Sequence, residues 1–383
     1  MGDSMSLNSA KETITILLDQ AGISVNGKDP HDIQVINPAF FGRVLGQGSL
    51  GLGESYMDGW WESFELDKTM ARIVAARDSG RIKLPLPAML RVGISRLAAI
   101  SQRRHPYAIG QQHYDKGNDL FKAMLDPLMV YSCGFWRDAK TLDEAQEAKL
   151  ERVCQKMRLE SGMEVLDIGC GWGCFAKYAA LKYGVRVHGI TVSKEQLRLA
   201  RQRCAGLPVT LGYQDYREID RKYDRIVSIG MFEHVGHRNY PTFFNCVRHC
   251  LKPGGLFLLH TIGGNRSVSY VDPFIKKHIF QIGMIPSLAQ IGKASENGLI
   301  LEHWENFGPD YDPTLMAWCR NFEAAWPDLK STRDRPTPYD ERFFRMWRYF
   351  LLTSAGSYRV RHVQVWQFVY SHGDLLFSYD FRD

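Results

Sequence analysis

Residues Met163–Gly173, Met-Glu-Val-Leu-Asp-Ile-Gly-Cys-Gly-Trp-Gly, constrain the fold of this chain more than any other stretch. Met163–Ile168 reads as a short buried strand, apolar but for Glu164 and Asp167. Gly169, Gly171 and Gly173 then permit a tight turn whose backbone N–H groups can approach a ligand closely. Phe175–Tyr183 continues as a helix. Strand, glycine turn and helix in that order open a nucleotide-binding α/β domain. The usual dinucleotide fingerprint is Gly-x-Gly-x-x-Gly, and here the third glycine comes one residue early. A nicotinamide site or a purely structural turn is the competing reading.

Beyond the turn, strands and helices alternate. Strands are expected at Val185–Ile190, Val209–Tyr213, Arg225–Ile229 and Leu256–Thr261, with helices at Ser193–Cys204 and Asn239–Leu251. Such alternation implies a parallel sheet covered on both faces. Leu299–Trp304, two helices within Tyr311–Leu352, and Val363–Tyr370 complete the chain. Asn265–Ala294 breaks the rhythm and is expected to form a lid over a pocket. Upstream, residues 1–105 read as a smaller helical domain, divided from 106–383 by the polar and basic stretch Ser101–Pro106. Helices fall at Ala10–Ala21, Pro38–Leu45 and Ala88–Gln102, and Thr141–Arg158 delivers the chain to the first strand. Gly46-Gln-Gly-Ser-Leu-Gly51 is a literal Gly-x-Gly-x-x-Gly, but it follows a helix rather than a strand, so it is expected to be structural.

The formal charge of +6 is concentrated. Between Arg77 and Arg104 seven basic residues face one acid, a surplus equal to that of the whole chain. This asks for an anionic partner, and an interfacial helix meeting anionic lipid weighs evenly against a plain surface helix. Nucleic acid is not expected, because no recognition motif accompanies the charge. No apolar run approaches the roughly 18 residues of a membrane span, and no signal peptide is expected. Eight cysteines without a Cys-x-x-Cys pair suit a reducing cytoplasm and argue against structural zinc, so no metal site is expected.

In a doubly wound sheet, ligands sit at the carboxyl ends of the strands. Asp167 and its glycine loop fall there, as do Thr191, Asp215 and Glu233 after the second, third and fourth strands and His260 at the end of the fifth. Asp167-x-Gly-x-Gly-x-Gly173 resembles motif I of the class I S-adenosylmethionine (AdoMet) methyltransferases, which implies a Rossmann-like, mostly parallel sheet. Many such enzymes carry an acid after the second strand that accepts from both ribose hydroxyls. Here Thr191-Val-Ser-Lys-Glu-Gln196 stands instead, and Gln196 serves either the ribose or the cap of its own helix. Asp215 is placed to accept from the adenine amino group, with an exposed turn aspartate as the alternative.

Longer motifs narrow the resemblance. Leu50–Trp61, His113-Tyr-Asp-Lys-Gly-Asn118, Tyr131-Ser-Cys133, Leu166–Gly173, Gly230-Met-Phe-Glu-His-Val-Gly236 and Leu259-His-Thr-Ile262 resemble the bacterial cyclopropane fatty acid synthases and, more distantly, the mycolic acid cyclopropane synthases. The match runs from about residue 12 to 370. It implies methyl transfer from AdoMet to a cis double bond of an unsaturated phospholipid acyl chain. A carbocation then loses a methyl proton to bound bicarbonate and closes to a cyclopropane. The bicarbonate pocket implied by the resemblance is Cys133, Glu233, His260, Ile262 and Tyr311. The implied AdoMet contacts are Tyr131, Ser132, Asp167, Gly169, Cys170, Gly171, Gly173, Thr191, Gln196 and Asp215. Trp136, Phe232 and Tyr311 can present π-faces to a cation, although each alone is an ordinary core aromatic. The implied setting is the cytoplasm, peripherally on an anionic inner membrane face, with the oligomeric state open and a homodimer among the options. One departure stands out. Family members often carry cysteine where this chain has Ser354, which puts a nucleophile there in doubt. The rivals are a lipid methyltransferase that leaves a methyl or methylene branch, and a binding module without chemistry.

Overall fold

A seven-stranded sheet carries the glycine loop. Its strands are β1 (Glu164–Ile168), β2 (Arg186–Thr191), β3 (Val209–Tyr213), β4 (Tyr223–Ile229), β5 (Leu251–Gly264), β6 (Ile300–Asn306) and β7 (Val363–Ser371). The spatial order is β3-β2-β1-β4-β5-β7-β6. Strands β1 to β5 pair in parallel, and β7 enters antiparallel between β5 and β6. The expected mostly parallel α/β sheet is therefore present. The order reverses between β1 and β4, and the carboxyl ends of those two strands form the crevice where such sheets bind ligands. The computed structural model describes residues 2–82, 117–280, 283–296, 298–332, 338–373 and 379–381. The domain boundary near residue 105, the helix Ala88–Gln102, most of the basic stretch and His113–Gly117 up to its last residue lie outside them. Among the described residues, no helix is long and apolar enough to cross a membrane.

Two compact units divide the chain. One comprises 1–110, 271–281 and 315–362; the other comprises 111–270, 282–314 and 363–383 and contains the sheet. The first unit thus draws on segments far apart in sequence, which a linear pattern does not signal. Part of the expected lid, 271–281, is counted with that unit. Within the sheet unit, Ile291 and Ala294 of the same stretch pack into the core with Phe244, Phe257 and Tyr370.

Period-two alternation explains β1. Leu166 and Ile168 enter the core cluster of Phe232, Phe243 and Phe257, while Val165 enters the opposite one with Leu150, Val153 and Phe175. Asp167 shares the face of Val165, so its carboxylate is buried toward the helix Leu142–Lys156. That helix starts from a capping box between Thr141 and Glu144. Strand β5 runs three residues past the expected end at Thr261 because β7 pairs with it from Leu256 to Gly264. Two glycines there read locally as a strand end. A Cβ on Gly263 would stand 2.2 Å from a ring carbon of Trp366, so this glycine serves packing across the pair.

The literal Gly-x-Gly-x-x-Gly of the first unit is a helix joint. Gly48 (φ 59°) links the helices Ala39–Gln47 and Ser49–Met57, and a Cβ on Gly51 would lie 2.3 Å from the carbonyl oxygen of Arg43. In the same unit, Glu54 is buried and accepts from Arg43, Lys277 and His278 at 2.7, 2.5 and 2.9 Å. The His278 hydrogen bond and then the two cations hold its carboxyl far below the ordinary range, against the cost of burial. Gly51→Ala should destabilise the protein by about 1–3 kcal/mol, read as a lowered melting temperature, with AdoMet affinity unchanged. A loss of AdoMet affinity at full stability would instead make this a ligand loop.

Candidate active site

The three glycines after β1 all hold positive φ, at 84°, 53° and 75° for Gly169, Gly171 and Gly173. Their surroundings differ. A Cβ on Gly169 would meet Met231 at 2.6 Å, and one on Gly173 would meet the Cys204 Sγ at 2.9 Å. At Gly171 the nearest atom is the amide nitrogen of Gln196, at 4.0 Å. Gly171 therefore faces open space, as a backbone that a ligand must approach requires. The N–H groups of Gly169 and Cys170 both donate to Ile190 O, at 3.0 and 2.9 Å, which ties the turn to β2.

Gln196 is resolved by its hydrogen bonds. Ser193 caps the helix through its own Oγ, which accepts from Gln196 N–H at 3.3 Å. The Gln196 side chain accepts from Thr191 Oγ1 at 3.4 Å instead of returning to Ser193 N–H, which donates to Thr191 Oγ1 at 3.1 Å. Its amide nitrogen faces Gly171, away from the cap. Asp215 sits after β3, where its carboxylate takes a bidentate pair of bonds from Arg217, both at 2.8 Å. Those bonds hold its carboxyl below the ordinary value.

Tyr131–Trp136 approaches the loop from another side. Trp172 donates to Asn118 at 2.9 Å, and Phe121 lies 4.8 Å from the Trp172 ring and 5.1 Å from that of Tyr131. Ser132 is gripped twice by the helix Leu142–Lys156. Gln146 donates to its carbonyl at 2.8 Å and Lys149 to its Oγ at 2.9 Å. The other end is fixed to the start of the helix Tyr311–Ser331. Gly134 N–H and Trp136 Nε1–H donate to Thr314 Oγ1 at 3.1 and 2.8 Å, and Trp136 N–H donates to Asp310 at 2.8 Å. The segment carrying Cys133 is thereby anchored to Thr314 and Asp310, far from it in sequence. Burial, and then the charge of Asp310, push the Cys133 thiol well above the ordinary value, so it stays a thiol.

Glu233 and His260 occupy the rim between β4 and β5. Glu233 Oε1 accepts from Ile262 N–H at 2.6 Å, while its buried Oε2 has no hydrogen-bond partner. Burial raises the Glu233 carboxyl above its ordinary value, and the Ile262 bond offsets only part of this. His260 is 2% exposed, with the Phe307 ring 5.4 Å away edge to face. Burial, and then the charges of Lys149 and Lys156, drive its imidazole well below the ordinary range, so it is neutral. Phe232 takes the core role that such an aromatic ordinarily has, its ring stacked on Tyr240 at 4.2 Å.

The polar residues that grip the site were not singled out in the sequence. Lys149 and Lys156 are 1% and 0% exposed. They follow Leu142 at seven-residue steps, so they lie on one helix face with it. A lysine on an otherwise buried face is the signal that could have found them.

Residues 101–368 match the mycolic acid cyclopropane synthetase family. The cyclopropane-fatty-acyl-phospholipid synthase of Escherichia coli (strain K12) is 50% identical over 357 residues, which is 93% of this chain and 92% of that protein. The solved structure of the cyclopropane synthase MmaA2 from Mycobacterium tuberculosis is similar with a TM-score of 0.62 and 31% identity, covering 68% of this chain and 96% of that one. The mycolic acid cyclopropane synthase CmaA1, solved in complex with SAH and CTAB, gives a TM-score of 0.62 and 32% identity over the same shares of 68% and 96%.

Asp167 generates a pH prediction. Burial pushes its carboxyl up to about 7, with Lys149 offsetting part of the cost, and its Oδ2 has no hydrogen-bond partner. An acid raised in the folded state destabilises the fold progressively as pH climbs from the unfolded value toward 7. Asp167→Asn should therefore raise the melting temperature of the cofactor-free protein at pH 8 and change it little at pH 4. AdoMet brings positive charge, so its binding to the wild type should release a proton near neutral pH and tighten between about pH 6 and 8. Calorimetry in buffers of different ionisation enthalpy measures that proton. Neither effect would appear if Asp167 were already ionised without the cofactor.

Proposed function

The chain belongs to the mycolic acid cyclopropane synthetase family, and from that premise we propose that it cyclopropanates the cis double bond of unsaturated phospholipid acyl chains with the methyl group of AdoMet. The S–CH3 bond breaks as the alkene π pair forms a new C–C bond, leaving a cation on the adjacent carbon. Loss of one proton from the new methyl group, with the C–H pair closing the ring, gives the cyclopropane. An alkene is a feeble nucleophile, so the rate must come from orientation and from stabilising charge as it develops.

In this reading the glycine loop, Thr191 and Gln196 hold the adenosyl part, and Asp215 takes the adenine amino group. Tyr131, Ser132 and Asp167 hold the methionine part, with Ser132 fixed by Lys149 at 2.9 Å. Glu233, His260, Ile262, Tyr311 and Cys133 form the site for bicarbonate. That ion, when bound, supplies a base already carrying negative charge. The observation that carries the reading is Glu233 Oε2, buried with no hydrogen-bond partner while Oε1 is tied to Ile262 N–H at 2.6 Å. A buried carboxylate oxygen left so is costly, and a ligand carrying an O–H would satisfy it. His260, held neutral, can donate to such a ligand without adding a positive charge that would weaken the base. The basic stretch Arg77–Arg104 would bring the enzyme to the anionic inner face of the cell membrane.

Glu233→Gln keeps the shape and loses the acceptor, so kcat should fall by ~10²–10⁴-fold with little change in AdoMet affinity. Wild-type activity should also drop in buffer stripped of carbon dioxide and return with added bicarbonate. A variant that mainly weakens AdoMet binding would make Glu233 a cofactor ligand instead. Binding to vesicles of anionic phospholipid should weaken as salt rises. Equal binding to neutral vesicles at every salt concentration would remove the electrostatic part of the proposal.

A further inference from the structure

A chain of hydrogen bonds runs behind His260. His260 on β5 and Gln367 on β7 are directly opposed in the antiparallel register, so their side chains share a face. Gln367 is fully buried, and its amide nitrogen lies 3.2 Å from His260 Nδ1. Its amide oxygen takes a hydrogen bond from Lys156 Nζ at 2.6 Å. Lys156 Nζ in turn contacts Glu305, which also accepts from Arg152 at 2.5 and 2.8 Å. Burial raises the Glu305 carboxyl, but the Arg152 bond and the Lys156 charge outweigh it and keep the group ionised below its ordinary value.

Donor and acceptor chemistry reads this chain in one direction. A lysine ammonium has donors only, so the Gln367 atom facing Lys156 must be the carbonyl oxygen. The amide NH2 then faces His260, and an amide nitrogen does not accept. Nδ1 of His260 must therefore be the unprotonated nitrogen. A neutral imidazole with a bare Nδ1 carries its proton on Nε2. We propose that Gln367 and Lys156 are positioning residues that fix His260 as its Nε2–H tautomer and so present a neutral donor to the anion site. This rests on the reading of His260 as a donor to bicarbonate. The Glu305–Lys156 pair is needed because an unanchored amide could rotate and accept from Nδ1–H, which would leave Nε2 as an acceptor facing an anion. A carboxylate at position 367 would have the same effect permanently.

The test uses the full chain labelled with ¹⁵N-histidine, with His260 assigned by its loss in His260→Asn. Two-bond ¹⁵N–¹H spectra of the wild type should show a bare Nδ1 and a protonated Nε2 from pH 6 to 8. A proton on Nδ1 in the wild type would overturn the proposal without any variant. Gln367→Glu, nearly identical in shape, should move the proton to Nδ1 and bring an imidazolium ionisation into the pH profile. It should lower kcat by roughly 10²-fold at unchanged KM for AdoMet, the size of one lost donor at an anion site. An unmoved tautomer in Gln367→Glu would also overturn the proposal. A moved tautomer with unchanged kcat would leave the tautomer control standing and defeat the assignment of His260 as donor, so the two failures are distinct.

Discussion

The site depends on one helix bringing ammonium groups into the protein interior. Lys149 and Lys156, two turns apart on Leu142–Lys156, have almost no exposure. A buried cation is tolerated only where it is paired or hydrogen-bonded. Lys149 is bonded to Ser132 and stands near the Asp167 carboxylate, and burial lowers its own affinity for a proton. Lys156 is satisfied by Glu305 and Gln367. Each lysine thus holds one half of the site. Removing either would leave a buried polar network unsatisfied, which costs more than the net gain of making it.

Desolvation dominates the electrostatics of Asp167, Glu233 and His260. It raises Asp167 to about 7, raises Glu233 and lowers His260. Asp167 Oδ2 and Glu233 Oε2 are both buried without a hydrogen-bond partner. The first lies near the carboxyl end of β1 and the second just after β4. In the cofactor-free protein these groups cost stability, and the proposed ligands are what would compensate them. A cationic cofactor suits the first and an anion with a hydroxyl suits the second.

Local pattern made much of this legible. The buried strand, three glycines and helix of Met163–Tyr183 fixed the nucleotide-binding turn, because each is a short-range property of the chain. The alternation that follows fixed the parallel sheet. The decoy glycine motif was separable by its context, and Gly51 does pack against a helix backbone. What pattern could not show is pairing at long range. The antiparallel entry of β7, the extension of β5 to Gly264 and the Gln367–His260 register all depend on residues about a hundred positions apart. By pattern alone Gln196 serves either the cofactor or the cap, and the bond of its side chain to Thr191 excludes the cap. Phe232 was a core residue, and its stacking partner Tyr240 lies only eight residues on.

The central claim is that this chain removes a proton from the transferred methyl group and closes a ring. Purified protein, unsaturated phospholipid vesicles and AdoMet carrying a CD3 group test it in one reaction. Mass spectrometry with carbon-13 NMR of the recovered acyl chains should find a cyclopropane whose bridging carbon keeps two deuterons, the third having left as the methyl proton would. A saturated chain bearing an intact CD3 branch, or an exocyclic CD2 on an unclosed chain, would contradict the account.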